Sequence, residues 1–558
     1  TYEPADRFQL VTNNFEGHLQ RLYSKEEMLQ LIEDVEPSPV TRSISEVVLR
    51  QKDILNSADS PNRQSYLLSD FQSAITDFQN IKADTGIGYR LIPFEREIES
   101  NFYIDSIWFK TPLRRAADEE TLFARVYNLS GQDAEVRLEL SINGNAQGFN
   151  NYVVPANNYN DCEFNYTVYE TGIQEGALTI AEYPDPDVTF DDSFYFSYRV
   201  ANEIPILVIS DEVKDTTHQI GAILGAVPMF GLEFNKSSAI NYSSFPGKNL
   251  VIVHGLQSIP SGLSAELTNF ISNGGNVFLI PGKNADLAGY NEFLGAVNAG
   301  SFSSKDTADT KVSDINLSHP LYSDIFERIP KNIDLPVAKA HYKLNIASRS
   351  KYEFLMRLQN GDPYLTVHDY ENGKLFLATA STDPSFGNFI KHATVVSGIL
   401  RIGEFSQENQ KLYGVIGNDN SFSVKNRDYK AENIRIKGDK LEFIPQVTSS
   451  RGITSLLFHN QITDAGNFKV LNQSNHEYSF GWNYNRKESN TGVLDEEDLK
   501  QAIKDNQLEA SFKVLNVADG QGGTGLAQLT DGEKFWKWCI ILVLLFLGLE
   551  ILIYRIFK

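Results

Sequence analysis

The first part of the chain has apolar positions at helical spacing. Residues 24–35 open with a capping box and continue as an apolar stripe, and residues 41–55 carry a second stripe. The apolar run at 64–71 indicates a buried strand. Strands that alternate with helices favour a parallel sheet, so we expect residues 1–95 to form an α/β domain.

The period changes to two after about residue 98. In residues 135–142 and again in 193–200, every second position is apolar, which is typical of half-buried strands. Glycine-, asparagine- and proline-rich turn segments separate these runs. Several short strands at this spacing predict a β-sandwich over residues 96–203.

The next region returns to an α/β pattern. Continuous apolar runs at 204–211, 249–255 and 276–282 indicate strands that are buried on both faces, and amphipathic segments between them indicate helices. This order predicts a doubly wound α/β domain over residues 204–404.

The last third of the chain shows three kinds of segment. Residues 405–495 alternate again and predict a small β domain. Residues 496–533 contain a short acidic helix followed by a stretch rich in glycine, alanine and threonine, which we interpret as a flexible linker. The glycines at 520–525 follow no strand and lack a Gly-Lys-Ser/Thr ending, so a phosphate-binding loop is excluded there.

The chain closes with an apolar segment. Residues 535–554 are apolar except for Lys537, Gly548 and Glu550, and twenty such residues span a bilayer as a helix. Aromatic side chains lie at both ends of the run, as they do at membrane interfaces. We therefore expect a transmembrane helix and tail over residues 534–558; a buried helix of a soluble core is the alternative. The flanking lysines and arginine are nearly balanced, so charge alone does not orient the span.

Composition narrows the possible functions. The 558 residues carry a net charge of −22 with a pI near 4.9, and such an acidic surface repels phosphate backbones, which argues against nucleic-acid binding. Hydrophobic residues make up 41% and charged residues 22%, as in globular proteins. The two cysteines, Cys162 and Cys539, lie in the predicted sandwich and in the predicted span, so neither a disulfide framework nor a cysteine zinc cluster is expected.

The order of these regions, together with several short phrases, resembles the BatA-type membrane proteins of the Bat (aerotolerance) group. The resemblance covers nearly the whole chain and rests on the segments 66–72, 272–282, 318–322, 381–393 and the Trp-Lys-Trp before the terminal span. It implies a von Willebrand A (vWA) domain in residues 1–95, with further spans and the front of that domain upstream of Thr1. It also implies that the protein is anchored in the bacterial inner membrane and that the bulk of the chain faces the periplasm.

The vWA resemblance implies a divalent-cation site, with Mg²⁺ as the ion expected in the intact domain. Hard cations take oxygen ligands, and the matching positions here are Thr41 (or Ser38) and the strand-end Asp70. The alternative is that Thr41 caps the following helix and Asp70 caps the next turn. No other cofactor is expected.

The second α/β domain is similar to the class I glutamine amidotransferase fold. Enzymes of that class carry a cysteine on a strained elbow after a strand, activated by a histidine. Here the strand at 276–280 leads into Pro281, Gly282 and Lys283, and no Gly-x-Ser-x-Gly motif replaces the cysteine. We therefore expect no catalytic residues. His254 and the His319 turn could still line a crevice at the strand ends.

These features predict a non-catalytic, membrane-anchored scaffold that mediates protein–protein interactions. The resemblance implies vWA-type Bat proteins and a MoxR-type ATPase as partners, in envelope stress tolerance or protein maturation. Two alternatives stay open: a hydrolase that uses the crevice of residues 204–404, and a metal-dependent vWA adhesin.

Overall fold

The computed structural model describes most of the chain up to residue 515. The described residues are 5–515, without 59, 61, 83, 95–99, 110–113, 183–187, 213–218, 324–332, 408–410, 426–428 and 451–452, together with 542–543 and 545–546. The predicted span at 534–558 therefore lies almost entirely outside them. Within the described residues, no helix combines the length and apolar character that crossing a bilayer requires.

The helices and strands follow one another in a mixed order. The first region contains α1 (Lys25–Glu33), α2 (Ile44–Leu55), β1 (Gln64–Ser69) and β2 (Gly88–Pro93). The next contains β3 (Phe102–Phe109), β4 (Glu119–Asn128), β5 (Ala134–Ile142), β6 (Asn145–Val154), β7 (Asn158–Thr167), β8 (Gly172–Glu182) and β9 (Ser193–Val200).

The central region begins with β10 (Ile204–Ile209), α3 (Gln219–Leu224), β11 (Phe230–Asn235), β12 (Leu250–His254), α4 (Ser261–Ser272), β13 (Asn276–Ile280) and α5 (Leu287–Ala296). It continues with β14 (Gly300–Asp306), β15 (Thr310–Ile315), β16 (Val337–Ala338), β17 (His341–Ile346), β18 (Lys351–Leu358), β19 (Pro363–Tyr370), β20 (Gly373–Ala378) and α6 (Ala393–Phe405).

The last region contains β21 (Tyr413–Val415), β22 (Ser421–Lys425), β23 (Ile434–Lys437), β24 (Glu442–Phe443), β25 (Gln446–Ser450), β26 (Ile453–Leu457), β27 (Gly466–Asn472), β28 (Asn475–Asn483), α7 (Glu496–Asp505) and β29 (Phe512–Val514).

The first sheet joins the two ends of the described chain. Strands β1, β2 and β29 lie side by side and are parallel, so residues near 512 complete a sheet begun near 64. The ring of Phe512 stacks on Tyr89 with centroids 4.5 Å apart. Leu499 and Ile503 of α7 are buried in the same core. The acidic helix predicted within the 496–533 linker thus packs into the first α/β domain, because its two apolar residues, one turn apart, lie on one face.

The alternating region forms the predicted β-sandwich. A three-stranded sheet, β3-β4-β7, packs against a four-stranded sheet, β6-β5-β8-β9. Their inward residues make one apolar core that includes Cys162. Burial raises the pKa of the Cys162 thiol to about 12, which leaves it protonated and unreactive at neutral pH.

The central domain is the predicted doubly wound α/β unit. In its nine-stranded sheet, β11-β10-β12-β13-β20 are parallel, and β19, β18, β15 and β16 extend one edge with antiparallel pairing. Helix α3 contacts α6, whereas α4 contacts α5, so the sheet is covered by two separate helix pairs. Strands β14 and β17 form a separate antiparallel ribbon.

The small β domain is a second sandwich. A five-stranded sheet, β21-β28-β27-β23-β24, packs against β22-β26-β25 over an aromatic core of Phe422, Phe458, Phe480 and Trp482. It is joined to the first sandwich through Asn483, whose side chain bonds both the N–H and the carbonyl of Tyr195 at 2.8 Å. Arg486 adds bonds to the carbonyls of Ile104 and Ser193.

Candidate functional site

The carboxyl ends of four neighbouring parallel strands form the strongest candidate site. Strand β11 lies on one side of β10 and β12 lies on the other, so the strand order reverses between β10 and β12. Open α/β sheets bind ligands at such a switch point, because the loops diverge there and leave a crevice. Ser210 follows β10 and His254 ends β12, so these two residues flank the switch point.

His254 is held between two hydroxyl groups. Its Nδ1 lies 3.2 Å from Ser210 Oγ, and its Nε2 lies 2.9 Å from Thr382 Oγ1 in the loop after β20. The carboxylate of Glu212 lies 3.8 Å from Nδ1. The imidazole is fully buried, whereas the Glu212 side chain is about half exposed. The crevice therefore places a hydroxyl, an imidazole and a carboxylate in the order that hydrolytic triads use.

The elbow after β13, residues 281–283, contains no cysteine, serine or threonine. A Cβ at Gly282 would lie 2.6 Å from the carbonyl oxygen of Leu256 and 2.8 Å from that of Gly255, so the backbone leaves no room for one. None of residues 281–283 has a positive φ, which differs from the strained turn of a nucleophile elbow. The Tyr342 hydroxyl lies 2.8 Å from the Gly282 carbonyl oxygen and 2.9 Å from that of Lys283, and these two oxygens share its one proton.

Lys283 and Asp383 give the mouth of the crevice a charged pair. Lys283 Nζ lies 3.4 Å from Asp383 Oδ1, and both side chains are substantially exposed. Hydrogen bonds from the Ser385 hydroxyl and N–H, with Lys283 nearby, hold the pKa of Asp383 below its ordinary value. An exposed pair of this kind contributes little to stability.

The predicted magnesium ligands lie in the first domain. Thr41 is buried, and its hydroxyl has no hydrogen-bond partner among the described residues. The alternative role for Thr41 is wrong, because Ser43 caps α2. The Ser38 hydroxyl is already bonded to Asn14 at 2.5 Å, which leaves Thr41 as the better ligand of the two.

Asp70 follows β1 and precedes a strained residue. The buried Phe71 has φ of 50°, a conformation that costs a residue with a side chain about 1–3 kcal/mol. Leu494 N–H donates to the Phe71 carbonyl at 3.1 Å, so the segment after the second sandwich stabilises the loop that follows β1. A buried, unpartnered hydroxyl and a strand-end carboxylate suit a hard cation such as Mg²⁺, and they would supply two of its ligands. Ligation by Thr41 and Asp70 stays a prediction.

Two other histidines do not join the crevice. Burial lowers the pKa of His319, and the charges that also act on this pKa include that of Lys374, which lies at the opposite, amino end of β20. His392 is the N-cap of α6, where its ring accepts from the N–H of Thr394. Sequence reasoning missed Ser210 and Thr382. Their only local signal is that each lies just after a buried strand.

The fold defines the class of the protein: it is a multidomain protein with a doubly wound α/β domain and β-sandwiches. No known protein-family profile matches the chain, and the search of curated proteins finds no match. Among solved structures, the chain is similar to a cytoplasmic protein of Salmonella typhimurium LT2, with 14% identity, a TM-score of 0.31, and coverage of 37% of this chain and 100% of that one.

Two further solved structures are similar at the same low level. A second cytoplasmic protein of Salmonella typhimurium has 12% identity and a TM-score of 0.28, over 36% of this chain and 98% of its own. The CARDB domain of a Pyrococcus furiosus protein, solved in complex with di-metal ions, has 15% identity and a TM-score of 0.17, over 19% of this chain and 97% of its own.

Proposed function

We propose that this chain is a non-catalytic scaffold of the Bat type, anchored in the bacterial inner membrane by residues 534–558, which holds other proteins on its periplasmic surfaces. The observation that carries the proposal is that the described chain closes on itself. Strand β29 pairs with β2, which pairs with β1, so the two ends of the described chain meet in one sheet. The domains between these strands are therefore tied at both ends to the first α/β domain.

Contacts between neighbouring units support a fixed arrangement. Asn483 and Arg486 join the two sandwiches through partly buried hydrogen bonds between side chain and backbone. Arg115 of the first sandwich pairs with Glu404 of α6 at 2.7 Å. Gly417 of the second sandwich packs so closely on Val40 that a Cβ there would lie 2.9 Å from Val40 Cγ1. Units held in this way can present several surfaces to partners at constant spacing, which is what a scaffold requires.

The chemistry of the crevice supports the non-catalytic part of the proposal. The elbow of the amidotransferase-like α/β domain carries Gly282 between two carbonyl oxygens, where an amidotransferase needs a nucleophile. The buried His254 already has a hydroxyl at each nitrogen. At Nδ1 this hydroxyl is that of Ser210, 3.2 Å away, whereas the Glu212 carboxylate, which a triad would need there, lies farther off at 3.8 Å.

The experiment is crosslinking of the full-length protein in its native membrane, followed by mass spectrometry. We expect crosslinks to other membrane proteins, among them vWA-type Bat proteins and a MoxR-type ATPase. The matched variant is Thr382→Val, which removes the crevice hydroxyl and keeps the side-chain shape. The same partners at the same yield in both proteins support the scaffold; the absence of reproducible protein crosslinks in the wild type contradicts it.

A hydrolase is the second candidate, favoured by one observation: Thr382, His254 and Glu212 converge. In such an enzyme His254 would take the proton of the Thr382 hydroxyl, and Glu212 would stabilise the imidazolium. Turnover of an ester or amide substrate that is lost in both Thr382→Val and His254→Gln would establish this function in place of the scaffold.

A metal-dependent adhesin is the third candidate, and it depends on Thr41 and Asp70. Mg²⁺ held there would supply an electrophilic position for an acidic ligand group. Binding of a ligand by the intact protein that requires Mg²⁺ and is lost in Thr41→Val would support it.

A further inference from the structure

A second cluster of residues that can bind a metal ion lies where the ribbon of β14 and β17 meets the turn between β18 and β19. Asp306, His341 and Asp362 each offer one ligand atom, and these atoms all lie within 4.8 Å of one another. The cluster joins an imidazole and two carboxylates from three separate strands and turns. Nothing in the proposed scaffold function uses it.

The fold brings the three residues together in two ways. Asp306 and His341 face each other in the antiparallel ladder of the ribbon, so their side chains leave the same face. Asp362 lies in the turn between β18 and β19. Asn360 orients it there by donating to Asp362 Oδ2 at 2.8 Å and accepting from its N–H at 3.1 Å. A carboxylate oriented by a neighbouring amide is a usual companion of a metal ligand.

The state of His341 is unusual for a purely structural residue. Its side chain is 1% exposed, Nε2 lies 2.8 Å from Asp362 Oδ2, and Nδ1 is buried without a hydrogen-bond partner among the described residues. Nε2 is the ring nitrogen that faces the Asp362 carboxylate, so an ion shared by the three residues would take Nε2 as its ligand, and burial of the ring keeps that nitrogen in one place.

We propose that Asp306, His341 and Asp362 bind one divalent first-row transition-metal ion of the zinc class. One imidazole with two carboxylates differs from the all-oxygen shells of Mg²⁺ and Ca²⁺ and contains no thiolate for softer ions. Zinc with bonds of about 2.1 Å sets neighbouring ligand atoms about 3.4 Å apart. Separations of up to 4.8 Å would therefore close by up to about 1.4 Å, and Nε2 and Asp362 Oδ2, now 2.8 Å apart, would separate by about 0.6 Å. Three protein ligands leave a fourth position for water or a ligand.

The Lys343 ammonium group pairs with Asp306 and would compete with a metal ion for that carboxylate. Its Nζ lies 3.0 Å from Asp306 Oδ2, and its side chain is about half exposed, so it can turn away into solvent when a metal ion arrives. Breaking a half-exposed ion pair of this kind costs little. Removal of this lysine should therefore strengthen metal binding, which a purely structural His–Asp pair would not explain.

The test is calorimetric titration of the metal-stripped full-length protein with Zn²⁺, with Mg²⁺ as the comparison ion. We expect one zinc site and affinity for Mg²⁺ weaker by at least about 100-fold. Asp306→Asn and Asp362→Asn should each weaken zinc binding at least about 100-fold, as loss of a ligand does. Lys343→Met should tighten it about two- to fivefold, the equivalent of a weak ion pair.

The control is Asp314→Asn, an exposed aspartate of β15 outside the cluster, which should bind zinc as the wild type does. Circular dichroism of each variant shows whether it has folded, and Lys343→Met tests the site without removing a ligand. The proposal is overturned if the wild type binds zinc no more tightly than Asp306→Asn does, or if Lys343→Met leaves the affinity unchanged or weaker.

Discussion

Phe512→Ala tests whether the chain is closed by its last described strand. The ring is 2% exposed, stacks on Tyr89 at 4.5 Å and meets Phe78 edge-on at 6.0 Å. Truncating a buried phenylalanine to alanine typically costs about 3–5 kcal/mol, because apolar contacts are lost and a cavity remains. The loss should fall on the first α/β domain, whose core contains this ring.

Hydrogen exchange of the β1 and β2 amides is the suitable assay, since unfolding of a multidomain chain is not a single transition. A loss of about 3–5 kcal/mol corresponds to exchange about 100- to 3,000-fold faster where exchange reports the opening equilibrium. Lys513→Ala, at the next and exposed position of the same strand, should change these rates less than about threefold. Unchanged protection of residues 64–69 in Phe512→Ala would refute the assignment of β29 to this sheet.

Three further predictions concern other parts of the chain. Burial lowers the pKa of His368 to about 4, below its ordinary value of 6.5, so the folded state binds fewer protons than the unfolded state between these two pH values. Stability from this group is therefore full above pH 6.5 and falls by about 2 kcal/mol at pH 5. Hydrogen exchange of the β19 amides, corrected for the pH dependence of the intrinsic rate, should show a smaller loss of protection between pH 7 and 5 in His368→Gln than in the wild type. Gly282→Ala should destabilise the central domain by about 1–3 kcal/mol, since its Cβ would overlap two carbonyl oxygens, whereas Gly295→Ala in α5, with open space around it, should be neutral or stabilising by up to about 1 kcal/mol. Equal thermal shifts for the two glycine variants would contradict this. Asn483→Ala should cost about 2 kcal/mol and speed proteolysis between the sandwiches, because two backbone bonds to Tyr195 are lost; unchanged proteolysis would show that the interface does not depend on them.

The local patterns of the sequence predicted the elements that depend on local chemistry. The capping box of Ser24 and Glu27 is present at the start of α1, and the two alternating regions form sandwiches. The apolar spacing of residues 386–402 is typical of a helix, but α6 begins only at Ala393, because Gly387 adopts φ of 115° and two short 3-10 turns precede the cap at His392. Backbone conformation at a single glycine is not visible in a hydrophobic pattern.

Local hydrophobic patterns do not predict which strands pair when the strands lie far apart in the sequence. Strand β29 has only three residues and pairs with β2 more than four hundred positions away, so no periodicity marks it. The same limit applies to the crevice, where Ser210, His254 and Thr382 are separated along the chain by 44 and 128 positions. That residues 281–283 contain no cysteine, serine or threonine, in contrast, follows from contiguous residues and needs no long-range pairing.

The most direct test of the scaffold is whether the crevice hydroxyls react. A fluorophosphonate probe labels a hydroxyl that a neighbouring imidazole activates, and the adduct can be located by mass spectrometry of the full-length protein. We predict no labelling of Thr382 or Ser210 above that of a denatured sample. Stoichiometric labelling of either hydroxyl that disappears in His254→Gln would contradict the non-catalytic assignment.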